Sequence, residues 1–466
     1  MSSSPTLPPD DRPQKASTLY LYLIVLIAAV GGFLFGYDLS LISGAILFLT
    51  KEFSLSPLAS GTIVGSATLG CCFGPMMGAW MADAWGRKYT LIFSGVLFLA
   101  SSVGCAYADS VTSLVIWRFV GGLGVGLAST VSPMYIAEIA PAAMRGRLVV
   151  LNQLAIVVGL GMSVLVTYWL SFGEHWRLMF ASQLVPVACL MIGLFCVPES
   201  PRWLAAVNRI DKALAVLTTI NGPRQAAIEI SDIQASLKSE SGNLRELFRS
   251  GVRLALIIGI VLMVFQQING VNLILLYTPT LFMAAGISSA PDAILNSVFI
   301  DGWILLCTII SFWLTRTFGR RPILIVGTLA MAVGHVLMYL NFTFQMPLSF
   351  TLMAMLVPTG AFTLTLAPLG WVVISEIFPT RIRGKAMSIV TCIMFAASYI
   401  VTSAFPSAMA AFEARFGNPG GAFLIFAGVC LACSWFVKRM LPETKDRTLE
   451  EIAQFWLTDR RTDRKC

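Results

Sequence analysis

Two oppositely charged side chains stand inside long apolar stretches of the sequence: Asp38 in GGFLFGYDLSLISG and Arg118 in WRFVGGLGVG. Each charge alone would be costly to bury in apolar surroundings, so we expect the two side chains to pair. A carboxylate that leaves such a partner can bind a proton, and it releases the proton when the partner returns. The pair could therefore couple the movement of another solute to a proton gradient. The alternative is a static salt bridge that only holds two helices together.

A third charge, Asp301, lies in the apolar stretch SVFIDGWILL. Two interpretations remain open for it. Its carboxylate could face a cavity and bind a hydroxyl group of a ligand, or it could lie near the water interface without a role.

Amide side chains cluster in the sequence FQQINGVN, which contains Gln266, Gln267, Asn269 and Asn272. Amides inside an apolar helix need hydrogen-bond partners, and Gly270 would allow the helix to unwind locally. Amides donate to and accept from hydroxyl groups, so the cluster suits a neutral polyhydroxy ligand. The alternative is that the amides hold neighbouring helices together.

Two further positions fit the same ligand. Gln153 is an isolated amide in LNQLAIVVG, and Trp371 offers an aromatic ring in LAPLGWVVISE. Aromatic rings cover the apolar face of a sugar. Pro368 and Gly370 should bend the helix that carries Trp371.

The chain repeats its own phrases. Residues 136–147 read IAEIAPAAMRGR and residues 374–385 read ISEIFPTRIRGK, while Gly86-Arg87-Lys88 returns as Gly319-Arg320-Arg321. The sequence PESPRWL at 198–204 is echoed by PETKDRTLEE at 442–451. Each half of the chain is therefore a version of the other, which in a membrane protein predicts a transporter built from two related bundles.

The repeated phrases carry charges at the predicted cytoplasmic ends of helices. We interpret them as a gate of ion pairs that bridge the two halves when the cytoplasmic side is shut. The alternative is a solvated cluster of charges at helix ends. The predicted gate residues are Asp83, Arg87, Glu138, Arg145, Glu199, Glu376, Arg383 and Glu443.

The composition excludes an ordinary soluble protein. Of the 466 residues, 57% are hydrophobic and 12% are charged, whereas soluble domains carry roughly 25% charged residues. Continuous apolar runs long enough to cross a bilayer recur along the chain, and they predict helices rather than barrel strands. The predicted spans are 19–49, 57–82, 89–108, 112–136, 148–171, 177–197, 253–285, 292–315, 322–341, 348–377, 385–411 and 419–440.

The net charge of +8 does not predict a nucleic-acid partner. With both termini placed in the cytoplasm, nearly all lysines and arginines lie in cytoplasmic segments, as the positive-inside rule requires. The cysteines show no metal-ligand spacing, and we expect them to pack as small apolar residues. No cofactor is predicted, and the absence of a nucleophile–base pair or phosphate loop argues against an enzyme.

The predicted fold is an all-α membrane protein with twelve transmembrane helices in two pseudo-symmetric six-helix bundles. The predicted segments are a mobile tail over 1–18, a first bundle over 19–197, a cytoplasmic linker with short helices over 198–252, a second bundle over 253–440 and a cytoplasmic tail over 441–466.

These motifs together resemble the sugar porters of the major facilitator superfamily, and most of all bacterial sugar–proton symporters of the xylose and galactose type. The resemblance covers about residues 20–452, through GYDLSLISGA, GAWMADAWGRK, RFVGGLGVG, PMYIAEIAPAAMRGRL, PESPRWL, QQINGVN, GRRP, GWVVISEIFPTRIRGKA and PETKDRTLEE. It implies that Asp38 and Arg118 are the proton-coupling pair and that Tyr277 belongs to a gate. The sugar-contacting residues that it implies are Phe35, Gln153, Gln266, Gln267, Asn272 and Trp371.

Some positions depart from the family pattern and leave the substrate open. Gln183 replaces a glutamate that helps proton coupling, and Ile304 replaces a sugar-binding asparagine. Leu276 replaces the first tyrosine of a gating pair, Arg316 replaces an acid, and Met394 and Phe395 stand where a polar residue and a tryptophan are common.

The function predicted from these observations is the import of a monosaccharide, hexose or pentose, with protons by alternating access. The alternative is a facilitative sugar or polyol uniporter without proton coupling. We expect a multi-pass protein of the bacterial inner membrane, embedded in the lipid bilayer, with both termini cytoplasmic and function as a monomer.

Overall fold

The computed structural model describes residues 15–141, 144–239, 250–378 and 382–443. Within them, twelve segments are helical, long and apolar enough to span a membrane, and they match the twelve predicted spans to within several residues. The predicted all-α class is thus confirmed. The tails predicted over 1–18 and 441–466 lie mostly outside the described residues, although the first helix already begins at Lys15.

Seven helices form the first bundle, because its sixth span is divided into two. They are α1 Lys15–Glu52, α2 Pro57–Trp85, α3 Arg87–Ala106, α4 Val111–Ile139, α5 Arg145–Ser171, α6 Trp176–Ser182 and α7 Leu184–Cys196.

The second bundle has nine helices, because its first and fourth spans are interrupted. They are α11 Ser250–Ile268, α12 Val271–Leu276, α13 Thr278–Ala284, α14 Ala290–Thr317, α15 Arg320–Phe344, α16 Leu348–Leu364, α17 Leu366–Ile377, α18 Arg383–Phe416 and α19 Gly421–Met440.

The described part of the predicted linker, up to residue 239, contains three helices, α8 Pro201–Ala206, α9 Ile210–Asn221 and α10 Pro223–Ser239. Trp203, Leu204 and Ala213 form a small apolar core that holds them together. The indole of Trp203 also donates to the backbone carbonyl of Asp83 at the end of α2, 2.8 Å away. The linker is therefore a packed layer attached to one end of the first bundle. We call that end of the molecule the linker end and the opposite end the distal end.

Three of the helix interruptions precede a proline by two or three residues. Gln183 precedes Pro186, Tyr277 precedes Pro279, and Thr365 precedes Pro368. A proline lacks the N–H group that would bond to the fourth residue before it and clashes with that residue's carbonyl. The predicted bend near Pro368 is confirmed, with the interruption at Thr365.

The fourth interruption is the one predicted at Gly270. Its φ of 89° is a left-handed value that favours glycine over residues with a side chain. The side chain of Asn269 satisfies the exposed backbone on both sides of the break. Its Oδ1 accepts from the N–H of Val271 at 2.8 Å, and its Nδ2 donates to the carbonyl of Phe265 at 3.2 Å.

The two bundles meet closely toward the distal end. A Cβ atom on Gly61 of α2 would lie 2.0 Å from the backbone oxygen of Ser403 of α18, and one on Gly65 would meet the Ser403 side chain. Ile294 of α14 lies 3.5 Å from the corresponding position of Gly44 on α1. Glycine thus allows helices from different halves to close the distal end.

We predict that Gly61→Val keeps the halves apart at the distal end, because any side chain there overlaps the Ser403 carbonyl. Hydrogen–deuterium exchange of the distal parts of α2 and α18 should rise severalfold. The matched control is Gly161→Val, since a Cβ at Gly161 has no described atom within 4 Å. Exchange in Gly61→Val equal to that of the unchanged protein would contradict the expected role of this contact.

Candidate functional site

The predicted pair of buried charges exists. Nη1 of Arg118 on α4 donates to Oδ1 of Asp38 on α1 at 2.7 Å, although the residues are 80 positions apart. The side chains are 2% and 4% exposed, respectively. A charge-assisted bond of this length in a low-dielectric surrounding is strong, but neither partner could stay charged there alone.

The position predicted to help coupling is also buried. Gln183 lies at the junction of α6 and α7, and its Oε1 accepts from the hydroxyl of Ser102 on α3 at 3.0 Å. Its Nε2 is buried without a described hydrogen bond. An amide binds no proton in the physiological range, so Gln183 itself cannot carry a proton.

Gln266 is the most buried of the predicted ligand-binding amides. Its Nε2 donates to the carbonyls of Leu366 and Ala367 in the first turn of α17, at 3.1 and 3.0 Å. It therefore joins α11 to the helix that carries Trp371. Its Oε1 is buried and unpaired among the described residues, which leaves one acceptor for another group.

Gln267 and Asn272 bond to each other across the break at Gly270. Nδ2 of Asn272 donates to Oε1 of Gln267 at 2.7 Å, and both side chains are partly exposed. The break thus brings together two amides that a continuous helix would separate by five residues and hold on different faces. Such a pair can exchange its mutual hydrogen bond for bonds to hydroxyl groups.

The remaining predicted ligand-binding residues are partly or fully exposed. Phe35 is half-buried, Gln153 is exposed, and Trp371 is 39% exposed. Of the departures from the expected pattern, Ile304, Met394 and Phe395 are buried. The predicted gating residue Tyr277 is also buried, and its hydroxyl donates to the carbonyl of Thr402 on α18 at 3.2 Å.

The repeated charges build the same arrangement twice. Nη2 of Arg87 donates to Glu138 at 2.9 Å, and Nη2 of Arg320 donates to Glu376 at 3.1 Å. Glu199 accepts from the backbone N–H of Arg87 at 3.0 Å, just as Glu443 accepts from that of Arg320 at 2.9 Å. Each of these contacts lies within one half of the chain.

The carboxylate of Glu199 is held by backbone groups more than by a countercharge. It accepts from the N–H groups of Arg87, Lys88 and Ser200. Burial raises the pKa of Glu199, and those three hydrogen bonds oppose the rise.

The other predicted gate residues stand outside this core of contacts. Arg145 is exposed, and Asp83 is 80% exposed while it lies 3.3 Å from Arg87. Arg383 is half-buried, with Nε 3.4 Å from the carbonyl of Phe378. The expectation that ion pairs bridge the halves stays a prediction for another conformation.

We predict that breaking the buried pair destabilises the protein. Asp38→Leu should lower the unfolding free energy by about 3–5 kcal/mol, because it leaves Arg118 buried and unpaired. The double replacement Asp38→Leu with Arg118→Leu should recover most of that loss. Unfolding in detergent micelles with increasing dodecyl sulfate measures both.

Asp83→Asn serves as the control, since the Asp83 carboxylate is 80% exposed and Arg87 keeps its bond to Glu138, so we expect a loss of about 0–1 kcal/mol. A double variant as unstable as Asp38→Leu alone would show that the cost does not come from the orphaned charge.

The chain is similar to known sugar transporters in sequence and in structure. The family described as sugar (and other) transporter matches residues 24–456. The D-xylose-proton symporter of Escherichia coli is 36% identical over 94% of this chain and 96% of its own length. The arabinose-proton symporter of Bacillus subtilis is 34% identical over 98% and 100%. The inward-open structure of the E. coli xylose transporter superposes with a TM-score of 0.82, at 33% identity over 94% of this chain and 100% of that one.

Proposed function

This chain belongs to the sugar transporter family, and from that membership we propose that it imports a monosaccharide together with protons by alternating access. The substrate is a hexose or a pentose, and protons are the coupling ion. The observation that carries the proposal is the buried pair of Asp38 and Arg118. It places between the helices a carboxylate that can bind a proton when its bond to Arg118 breaks.

Proton coupling follows from the exchange of partners at Asp38. When the path opens outward, a proton binds Asp38 and frees Arg118 from it, and the sugar enters between the halves. When the path opens to the cytoplasm, the sugar leaves and Asp38 loses its proton to water. The ion pair then re-forms, because neither charge is stable alone in the apolar bundle.

The sugar site lies at the interrupted helices of the second bundle. Gln267 and Asn272 exchange their mutual bond for bonds to sugar hydroxyls, and Gln266 contributes its unpaired Oε1. Gln153 adds an amide from the first bundle, while Phe35 and Trp371 cover the apolar face of the ring. Tyr277 closes the extracellular side of this site.

Both termini and the linker face the cytoplasm in this proposal, so the distal end is extracellular. The protein lies in the bacterial inner membrane, and a single chain supplies the whole path, so it functions as a monomer. The conformation described here closes the extracellular end, and the inward-open relative superposes well on it.

The cytoplasmic charges form the gate of the opposite end. Within each half they fix the ends of the helices, so that each half moves as one body. The exposed Asp83 and Arg145 and the half-buried Arg383 are placed to reach the other half when the cytoplasmic side shuts.

The alternative is a facilitative uniporter, and Gln183 favours it. An amide stands there in place of an expected glutamate, so this half has one buried carboxylate fewer for proton transfer.

Replacement of Asp38 by asparagine distinguishes proton-coupled sugar accumulation from sugar exchange without coupling. We expect Asp38→Asn to exchange sugar across proteoliposome membranes while it loses accumulation against a gradient, because the amide cannot carry the proton. Uptake of labelled D-xylose with and without a protonophore measures this. Uptake by the unchanged protein that only equilibrates the sugar, and that the protonophore leaves unchanged, would reject proton coupling and favour the uniporter.

We also predict that Gln267→Ala weakens sugar binding about tenfold, since it removes a hydrogen bond of roughly 1.4 kcal/mol to a hydroxyl. Titration of the purified protein with a panel of pentoses, hexoses and inositols, followed by calorimetry, gives the affinities. Gln225→Ala, on the exposed linker helix α10, is the control. Equal affinities for all three proteins would remove Gln267 from the site.

A further inference from the structure

Asp301 is half-buried, and one oxygen of its carboxylate has no partner among the described residues. Its Oδ2 is inaccessible to water and makes no described hydrogen bond. The residue lies eleven positions into α14, which is about 16 Å from the helix start at 1.5 Å per residue. Asp301 therefore lies well inside this helix, away from both of its ends.

The helical register turns Asp301 toward the other half of the molecule. Ile294, which lies against the Gly44 position of α1, is two turns earlier on the same face. Trp303, two residues later and so on nearly the opposite side, donates to the carbonyl of Leu356 within its own half. The side chain of Asp301 therefore lies on the side of α14 that packs against the first bundle, where α14 contacts α5.

The surroundings of Asp301 are apolar. Its neighbours Ile300 and Ile304 belong to a buried cluster that also includes Leu41 of α1 and Val164 of α5. That cluster spans both halves and forms part of the distal closure. When the halves meet there, Oδ2 of Asp301 loses its hydration, and no described group compensates that oxygen.

Among the side chains that the structure describes, the elements packed against α14 supply no countercharge to this position. Helices α13 and α16 contain no titratable side chain, and α5 carries Arg145 and Arg147 at its linker end and Tyr168 near its distal end. On α1, Asp38 is bonded to Arg118. The other described titratable groups of α1 are Tyr20, Tyr22, Tyr37, Lys51 and Glu52, and those of α14 itself include the exposed Asp292 and the buried Cys307.

Lys51 is too far along α1 to serve Asp301. It bonds to Glu174 at the distal end, where Glu52 bonds to Arg177. An ionised Asp301 would thus lack a described countercharge in the closed distal end, which disfavours that conformation.

We propose that Asp301 is a second proton-binding site of this transporter, and that it must be protonated for the two halves to close at the extracellular end. The inference rests on the proposed alternating access but not on the coupling at Asp38. When the path opens outward, Asp301 meets water and ionises. Uptake of a proton from the outside then neutralises the carboxylate and permits closure to the conformation described here.

This site makes the conformational equilibrium depend on pH even without sugar. Below the range in which Asp301 titrates, the distal end stays closed as it is here. Above that range the ionised carboxylate favours the outward-open conformation, because there it keeps its hydration.

Hydrogen–deuterium exchange of the distal parts of α2 and α18 tests the proposal on the purified full chain without sugar. Between about pH 5.5 and about pH 8, exchange corrected for its intrinsic rate should rise at least about threefold, as the closed population falls. Asp301→Asn should remove that rise, because its neutral amide fits the closed form at every pH. Asp301→Glu should retain the rise, displaced along the pH axis.

Asp292→Asn is the matched control, since it makes the same change on the same helix at an exposed position. It should respond as the unchanged protein does. Asp301→Ser provides a second neutral replacement should the asparagine variant fail to fold. A pH response that persists in the neutral variants, or that is absent from the unchanged protein, overturns the proposal.

The outcome is independent of proton coupling at Asp38, which the protonophore experiment decides. A uniporter would still show the pH response of Asp301, and a symporter could lack it.

Discussion

The ion pair between Asp38 and Arg118 imposes the strongest constraint on the first bundle. Both side chains are almost completely removed from water, so each stabilises the other and neither can leave without a proton or water taking its place. The packing around the pair must therefore exclude water while the pair is intact. Glycines of α4 allow this, since a Cβ at Gly122 would lie 1.9 Å from the backbone oxygen of Ala67 on α2. Close contact of α2 and α4 thus helps to keep the pair out of water.

The proton switch proposed for this pair can act on the whole molecule only if each half is rigid. The duplicated contacts at the linker end provide that rigidity, because Arg87 and Arg320 each tie the start of one helix to the end of another. Backbone N–H groups at the same helix starts bond to Glu199 and Glu443, so charge and helix dipole act together. The two halves share this geometry because the sequence motifs that build it are repeated.

The sequence predicts the parts of this structure that follow from the cost of burying polar groups. The twelve spans, the pairing of Asp38 with Arg118 and the break at Gly270 all follow from that cost alone. The positions of the other breaks do not, because Pro186, Pro279 and Pro368 interrupt their helices whereas Pro75, Pro133, Pro358 and Pro406 lie within continuous ones. Whether a proline breaks a helix depends on which neighbour accepts the freed backbone groups.

The break at Thr365 illustrates this dependence. The N–H of Thr365 bonds to the carbonyl of Phe362, and its hydroxyl takes over the carbonyl of Ala361 at 2.6 Å. No pattern in the sequence predicts which groups will form these hydrogen bonds. The same limit applies to Gln266, whose partners on α17 lie about a hundred residues away.

Interrupted helices also explain how the second bundle combines structural and ligand-binding amides. Gln266 is fully buried and bonded to backbone carbonyls, which a sugar could not replace without loosening α11 from α17. Gln267 and Asn272 are partly exposed and bonded to each other. A sugar hydroxyl could therefore take the place of either amide as the hydrogen-bond partner of the other, at little cost in free energy. The two halves therefore share one scaffold but carry different polar groups. The first bundle holds the ion pair, the second holds the exchangeable amides, and Asp301 lies where the two must close on each other.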